Sequence, residues 1–203
     1  MDVPARLSEP LATALVDAFL AALERRRATG EVVRSGDAAA RAVECASTWS
    51  ADRAVVASDP LLHRLGIGPA LDAAGVEVLW WPTDRGWKEL MGLEGGTAET
   101  CGVTAPIAGV AERGTLLLAA SEGHGRSLDV VSRYHLAVVP ADRIVETLAE
   151  ALNAAYAGPG LPPSAISLVS GPSRTSDIEK ISTLGAHGAL AQHVLVVVDE
   201  RPS

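Results

Sequence analysis

The residues with the most chemistry to offer lie close together near the end of the chain, in Gly171-Pro-Ser-Arg-Thr-Ser-Asp-Ile-Glu-Lys180 and in Gly185-Ala-His-Gly188. Residues 166–170 are apolar and read as a buried strand leading into the first of these, and Gly171-Pro172 breaks that strand. Ser176-x-x-Glu179 has the form of a capping box, which predicts a helix from Asp177 with Ile178, Ile181 and Leu184 on one face and Gly185 at its end. A strand, a hydroxyl-rich loop and a helix N-terminus would then present unpaired N–H groups to one point, together with Ser173, Arg174 and Thr175. Physically that is a place for an anion. Asp177 orders the loop, because an acidic side chain is favourable at that end of the helix dipole. His187 titrates near neutral pH and can carry a proton, or it can make a structural hydrogen bond after Gly185. The plainer alternative is a well-capped turn with Arg174 in solvent.

Other reactive side chains are scattered. Residues 105–112 read as a short helix capped by Thr104 and residues 115–120 as a strand, which puts Glu112 at a helix–strand junction. There desolvation raises a carboxyl pKa and suits acid–base work, unless Glu112 is a surface group paired with Arg113. Gly123-His124-Gly125-Arg126 reads as a flexible polar loop or an ordinary exposed turn, and His135 as a structural residue near the start of a strand. Trp80, Trp81 and Trp87 either line a pocket or pack under the sheet. His187, Asp177 and Glu112 lack the i, i+4 pairing of metal ligands, so no metal site is assigned.

The elements that must position these groups form an alternating series. Strands are expected at residues 53–58, 76–81, 97–103, 115–120, 134–139, 166–170 and 194–198, with a helix at Pro60, helical turns over 69–74 and a long helix capped by Asp142. Such alternation predicts an α/β fold with a mainly parallel sheet flanked by helices, and ligands in such sheets sit outside the carboxyl ends of the strands. Leu11, Leu15, Phe19 and Leu23 mark an N-terminal helix ended by Gly30, and a second, Ala-rich helix starts at Asp37. Residues 1–50 are thus expected to be a helical extension with a linker at 30–36, and residues 51–203 the α/β domain.

Composition excludes several functions. A net charge of −8 over 203 residues is unfavourable for binding nucleic acid or an anionic membrane surface. No stretch is apolar enough to span a bilayer, and the first residues lack a signal-peptide layout, so a cytoplasmic protein is expected. Only Cys45 and Cys101 are present, whereas an iron–sulfur cluster normally needs four thiolates. Nor is there a Gly-x-Gly-x-x-Gly fingerprint for a nucleotide, since Gly66-x-Gly68-Pro69 lacks the last glycine. No cofactor is expected on this chain alone.

The Gly-Pro-Ser-Arg-Thr-Ser-Asp-Ile-Glu run followed by Gly-Ala-His-Gly resembles the closing signature of the lactate-utilization (LUD-domain) family, in particular its lactate utilization protein C branch. Upstream, Gly102-Val-Thr104 and Ala111-Glu-Arg-Gly-Thr115 make a second match. Arg113 replaces the family's usual threonine there, and Ala189 stands where a proline is common. The resemblance covers about the last half of the chain. It favours a site role for Glu112 and adds Thr104 and Thr115 as neighbours of the ligand. It implies the fold shared by ribose-5-phosphate isomerase, glucosamine-6-phosphate deaminase and CoA transferases. It also implies a part in oxidising L-lactate to pyruvate, with the iron–sulfur clusters on partner proteins while this chain binds a small anion or organises the complex. Two alternatives stay open. One is a self-sufficient enzyme on a CoA-linked or phosphorylated small molecule, with Glu112 as base or nucleophile. The other is a scaffolding or regulatory protein with a degenerate pocket.

Overall fold

A computed structural model of the chain describes residues 9–82, 99–125, 128, 132–157, 162–176, 182–184 and 188–199. Helix α1 (Glu9–Arg25) opens the described chain and β1 (Thr29–Arg34) follows it. Helix α2 (Ala38–Thr48) leads to β2 (Arg53–Val56), then α3 (Pro60–Arg64), α4 (Ile67–Ala73) and β3 (Glu77–Trp80). Next come β4 (Thr100–Thr104), β5 (Ala108–Val110), β6 (Thr115–Ala119), β7 (Tyr134–Pro140) and β8 (Ile144–Val145). The last elements are helix α5 (Leu148–Tyr156), β9 (Ile166–Val169), β10 (Arg174–Ser176), β11 (Ser182–Leu184) and β12 (Ala191–Val198).

Six strands form one sheet in the order β1-β12-β7-β4-β2-β3, every neighbouring pair parallel. Four more form a second sheet, β8-β5-β6-β9, in which β6 runs antiparallel to both its neighbours. The α/β class and the parallel sheet expected from the sequence are present. β12 and β7 lie between other strands and are covered on both faces, which is why their central residues read as continuous apolar runs.

Three apolar layers hold the sheets together. On one face of the large sheet, Val103, Leu136, Val138 and Leu195 pack against Ala42 and Ala46 of α2, Leu62 of α3 and Ile67 and Leu71 of α4. On the other face, Ala137, Val139, Val194 and Val196 meet Phe19 and Leu23 of α1, Leu116 of β6 and Ile144 of β8. The outer side of the small sheet is closed by α5, whose Ala151 packs on Val110 and Leu117. Gly109 leaves room for this arrangement: a Cβ there would come within 3.0 Å of the Phe19 ring.

Several expectations are overturned. Residues 30–36, read as a linker, contain the edge strand β1, paired with β12 from Thr29↔His193 to Arg34↔Val198. The first fifty residues therefore contribute a strand to the sheet as well as two helices packed on it. Arg27, at φ 63°, turns the chain out of α1 in place of Gly30. Gly30 lies inside β1, where a Cβ would crowd Leu20 Cδ2 at 2.9 Å. The helix expected over 105–112 is replaced by β5, which pairs with both β6 and β8. Cross-strand bonding here outweighs a weak helical pattern in a stretch holding Pro106 and Gly109. Asp142 does not cap the long helix. Thr147 does, with Glu150 completing a capping box.

The largest correction concerns the hydroxyl-rich stretch. Arg174–Ser176 and Ser182–Leu184 are strands that pair antiparallel, from Arg174↔Leu184 to Ser176↔Ser182. A helix from Asp177 through Leu184 is incompatible with that pairing. Thr175, Ser176, Ser182 and Thr183 are hydroxyl-bearing residues that pair well across strands and gain little in helices. The strand before this stretch also differs from expectation. β9 is half-buried at the edge of the small sheet, with Leu168 exposed.

Candidate functional site

Where the two sheets face each other at the beginning of β7 and β12, a cavity of about 290 Å³ opens. Ser167, Leu168, Val169 and Ser170 from β9 and its end form one side, with Gly171 and Ser173 beyond; His135 and Gln192, with Gly188 and Ala189, complete the lining. His135 and Gln192 are the second residues of β7 and β12. The cavity thus lies at the amino ends of these parallel strands, not at the carboxyl ends that the sheet class favours. The segment 171–190 feeds into β12, and a loop entering a parallel strand must lie at its amino end.

Pairing sets the polar groups side by side. Gln192 is opposite His135 in the β12–β7 register, and Thr104 is opposite Ala137 in the β4–β7 register. Residues two apart along a strand share a face, so Thr104, His135 and Gln192 all point toward the small sheet. Thr104 Oγ1 lies 2.8 Å from His135 Nε2, and Gln192 Nε2 lies 3.3 Å from His135 Nδ1. His135 is 1% exposed and Gln192 2%. Burial, and after it the neighbouring His124, lowers the His135 pKa to about 4. The imidazole is therefore neutral at physiological pH, with one nitrogen donating and the other accepting.

The opposite side is also tied together by hydroxyls. Thr115 Oγ1 and Ser170 Oγ are 2.7 Å apart, linking the start of β6 to the end of β9. The Ser173 N–H donates to the Ala189 carbonyl at 2.8 Å, and a Cβ on Gly188 would lie 3.1 Å from that of Ser173. Gly171 adopts φ +93° and approaches the residue following α1 so closely that a Cβ would meet the Arg26 carbonyl oxygen at 2.5 Å. Only glycine fits that conformation at that distance.

Of the residues singled out from sequence, Gly171 and Ser173 line the cavity, and Thr104 and Thr115 stand behind it through His135 and Ser170. Backbone pairing puts Arg174 and Thr175 in β10. Asp177 and His187 lie outside the described residues, as does Trp87. Glu112 is elsewhere. It accepts a hydrogen bond from the Leu148 N–H at 3.3 Å and pairs with Arg113 at 3.5 Å, on an exposed turn with its side chain 42% accessible. With β5 in place of a helix, no buried junction forms around it.

Trp80 stacks on His63 with ring centroids 4.1 Å apart, and Trp81 packs with it against the first apolar layer. Neither reaches the cavity. The Gly-His-Gly loop is docked rather than exposed: Ser58 N–H donates to the Gly123 carbonyl, and His124 is 8% exposed. The cavity also takes in Gln192 and His135, which the sequence pattern does not mark as site residues. Each is a polar side chain in the second position of a largely apolar strand.

Burial pushes the thiol pKa of Cys45 up to about 11 and that of Cys101 to about 12, so both are protonated thiols at neutral pH. Among the described residues no helix is long and apolar enough to cross a membrane.

The family model for the LUD domain matches residues 16–197. The chain belongs to the LUD domain family. That match spans both sheets and begins within α1, so the residues around the cavity all fall inside the LUD domain. The chain is 31% identical over 170 residues to lactate utilization protein C of Shouchella clausii, covering 83% of this chain and 72% of that one. It is 28% identical over 163 residues to lactate utilization protein C of Bacillus subtilis, covering 77% and 67%. It is 31% identical over 173 residues to the uncharacterised protein YkgG of Escherichia coli, covering 83% and 73%. A DUF162 family protein from Deinococcus radiodurans superimposes with a TM-score of 0.67, covering 95% of this chain and 99% of that one at 22% identity. The two departures from the motif pattern lie in different surroundings, since Ala189 is buried in the cavity lining. Arg113 is exposed, and Ala189 uses its carbonyl, which a proline would also possess.

Proposed function

We propose that this LUD domain is the non-cluster component of an iron–sulfur system that oxidises L-lactate to pyruvate, and that it holds a small carboxylate in the cavity between its sheets. The observation that carries this reading is the convergence of both sequence motifs on one cavity. Thr104 reaches it through His135, Thr115 through Ser170, and Gly171 and Ser173 line it directly. Serine hydroxyls and glycine backbone suit a small polar guest, and Arg174, next in the chain after Ser173, is the cation assigned to its charge. The relatives named for lactate utilization support the pathway. Two buried, protonated thiols support placing the clusters on partner proteins. Glu112 has no chemical role in this reading.

Thermal-shift measurements with L-lactate, pyruvate, sugar phosphates and CoA esters test the ligand. A carboxylate at a hundredfold over its dissociation constant should stabilise the protein by about 2.7 kcal/mol, and Arg174→Ala should remove most of that shift. Stabilisation by phosphorylated or CoA-linked compounds alone would replace this reading with a self-sufficient enzyme. Affinity capture from native lysate tests the complex: recovery of an iron–sulfur protein is expected, and recovery of this chain alone under gentle conditions would count against it.

A further inference from the structure

We propose that Gln192 is the specificity-determining residue of this cavity, its amide oxygen accepting a hydrogen bond from a hydroxyl group on the ligand. This rests on the carboxylate-binding reading above. The two ends of the amide are unequal. Nε2 lies 3.3 Å from His135 Nδ1, whereas Oε1 is buried with no hydrogen-bond partner. A neutral imidazole has one N–H. Facing an amide N–H, Nδ1 must be the acceptor, so Nε2–H donates to Thr104 Oγ1. The relay from Gln192 through His135 to Thr104 is therefore polarised in one direction and holds the amide with its nitrogen turned toward the ring.

The carbonyl is left over. A buried acceptor without a partner is costly, and native proteins keep few of them. This one belongs to a side chain that lines the cavity. The oxygen itself is shielded as the side chain stands, and the terminal torsion of glutamine is broad, so a guest hydroxyl meets it after a small tilt of the amide that keeps its nitrogen on the ring side. Serine hydroxyls at the opposite side both donate and accept, and discriminate little between guests. An amide oxygen tied back through its nitrogen only accepts. A ligand hydroxyl satisfies it, a keto oxygen sets a second acceptor against it, and a methylene leaves it unmet. The cavity should therefore prefer a 2-hydroxy acid to the 2-oxo acid and to the unsubstituted acid.

Titration calorimetry on the full chain with L-lactate, pyruvate and propionate tests this. Lactate is expected to bind at least about tenfold more tightly than either of the others, the discrimination of one satisfied buried acceptor. In Gln192→Leu, lactate should fall to the affinity of propionate while propionate changes by less than about twofold. Equal binding of all three overturns the role of Gln192 and leaves the carboxylate reading standing. Tighter binding of pyruvate means the amide presents its nitrogen, and overturns it too. If none of the three binds, the carboxylate reading falls and this inference with it. The wild-type ligand series decides the matter even if the leucine variant does not fold.

Discussion

His135 occupies a strand position where an apolar side chain would be the simpler choice, and it is kept there by partners on both sides. Thr104 and Gln192 satisfy its two nitrogens from the flanking strands. Burial depresses its pKa from about 6.5 to about 4. The sign of the consequence follows: between those values the unfolded chain binds more protons than the folded one, so stability is fully present above about pH 6.5 and is lost as pH falls toward 4. The loss is expected to reach about 3 kcal/mol. Denaturant melts of wild type and His135→Gln across that range should converge as pH drops, since His193, also lowered by burial, acts in both proteins. An NMR titration in which the His135 ring protonates near pH 6.5 would contradict this. Thr104→Val keeps the shape and removes the hydroxyl. It should cost about 1–3 kcal/mol in urea denaturation, because the buried imidazole is left with an unmet nitrogen.

Elements, not single residues, decide how the two sheets close on each other. The turn between β5 and β6 docks on α1 through Gly114, which adopts φ +61° and where a Cβ would lie 2.6 Å from the Ala22 carbonyl carbon and the Leu23 nitrogen. Backbone cannot retreat as a side-chain tip can. Gly114→Ala should therefore destabilise by more than about 2 kcal/mol, read as a lower Tm with the fold retained. Thr147→Ala removes the cap of α5 and should cost about 1 kcal/mol. Its effect should stay local, because α5 covers only the outer side of the small sheet. Local sequence pattern placed most strands correctly, and Phe19 and Leu23 of the apolar stripe of α1, although Leu11 at its start is exposed. It failed at residues 105–112 and at 182–184, where short polar or Gly-Pro stretches carry little intrinsic preference and strand pairing outweighs it.

The whole molecule behaves as layers that share their cores, so segments that look separable in sequence are not separable in space. Phe19 and Leu23 of α1 are fully buried between the sheets, and β1 shields the edge of β12. A chain of residues 51–203 alone is expected to lack a cooperative thermal transition, since it would expose both that edge and the layer around Phe19. A sharp two-state melt from that fragment would show that the first fifty residues are an accessory. The cavity depends on the same organisation. Its sides come from both sheets, and Gly171 packs it against Arg26, just past the end of α1.

The amino-acid sequence by itself determined the α/β class, the buried valine-rich strands and the two motifs that mark this family, because burial period and turn chemistry are local properties that residue order encodes directly. Tertiary structure alone decided that residues 29–34 form an edge strand, that residues 174–176 pair with 182–184, and that the cavity gathers at the amino ends of β7 and β12. His135 meets Thr104 and Gln192 across separations of 31 and 57 residues. Contacts of that span depend on which strands become neighbours, and strand order is set by how whole apolar faces pack together.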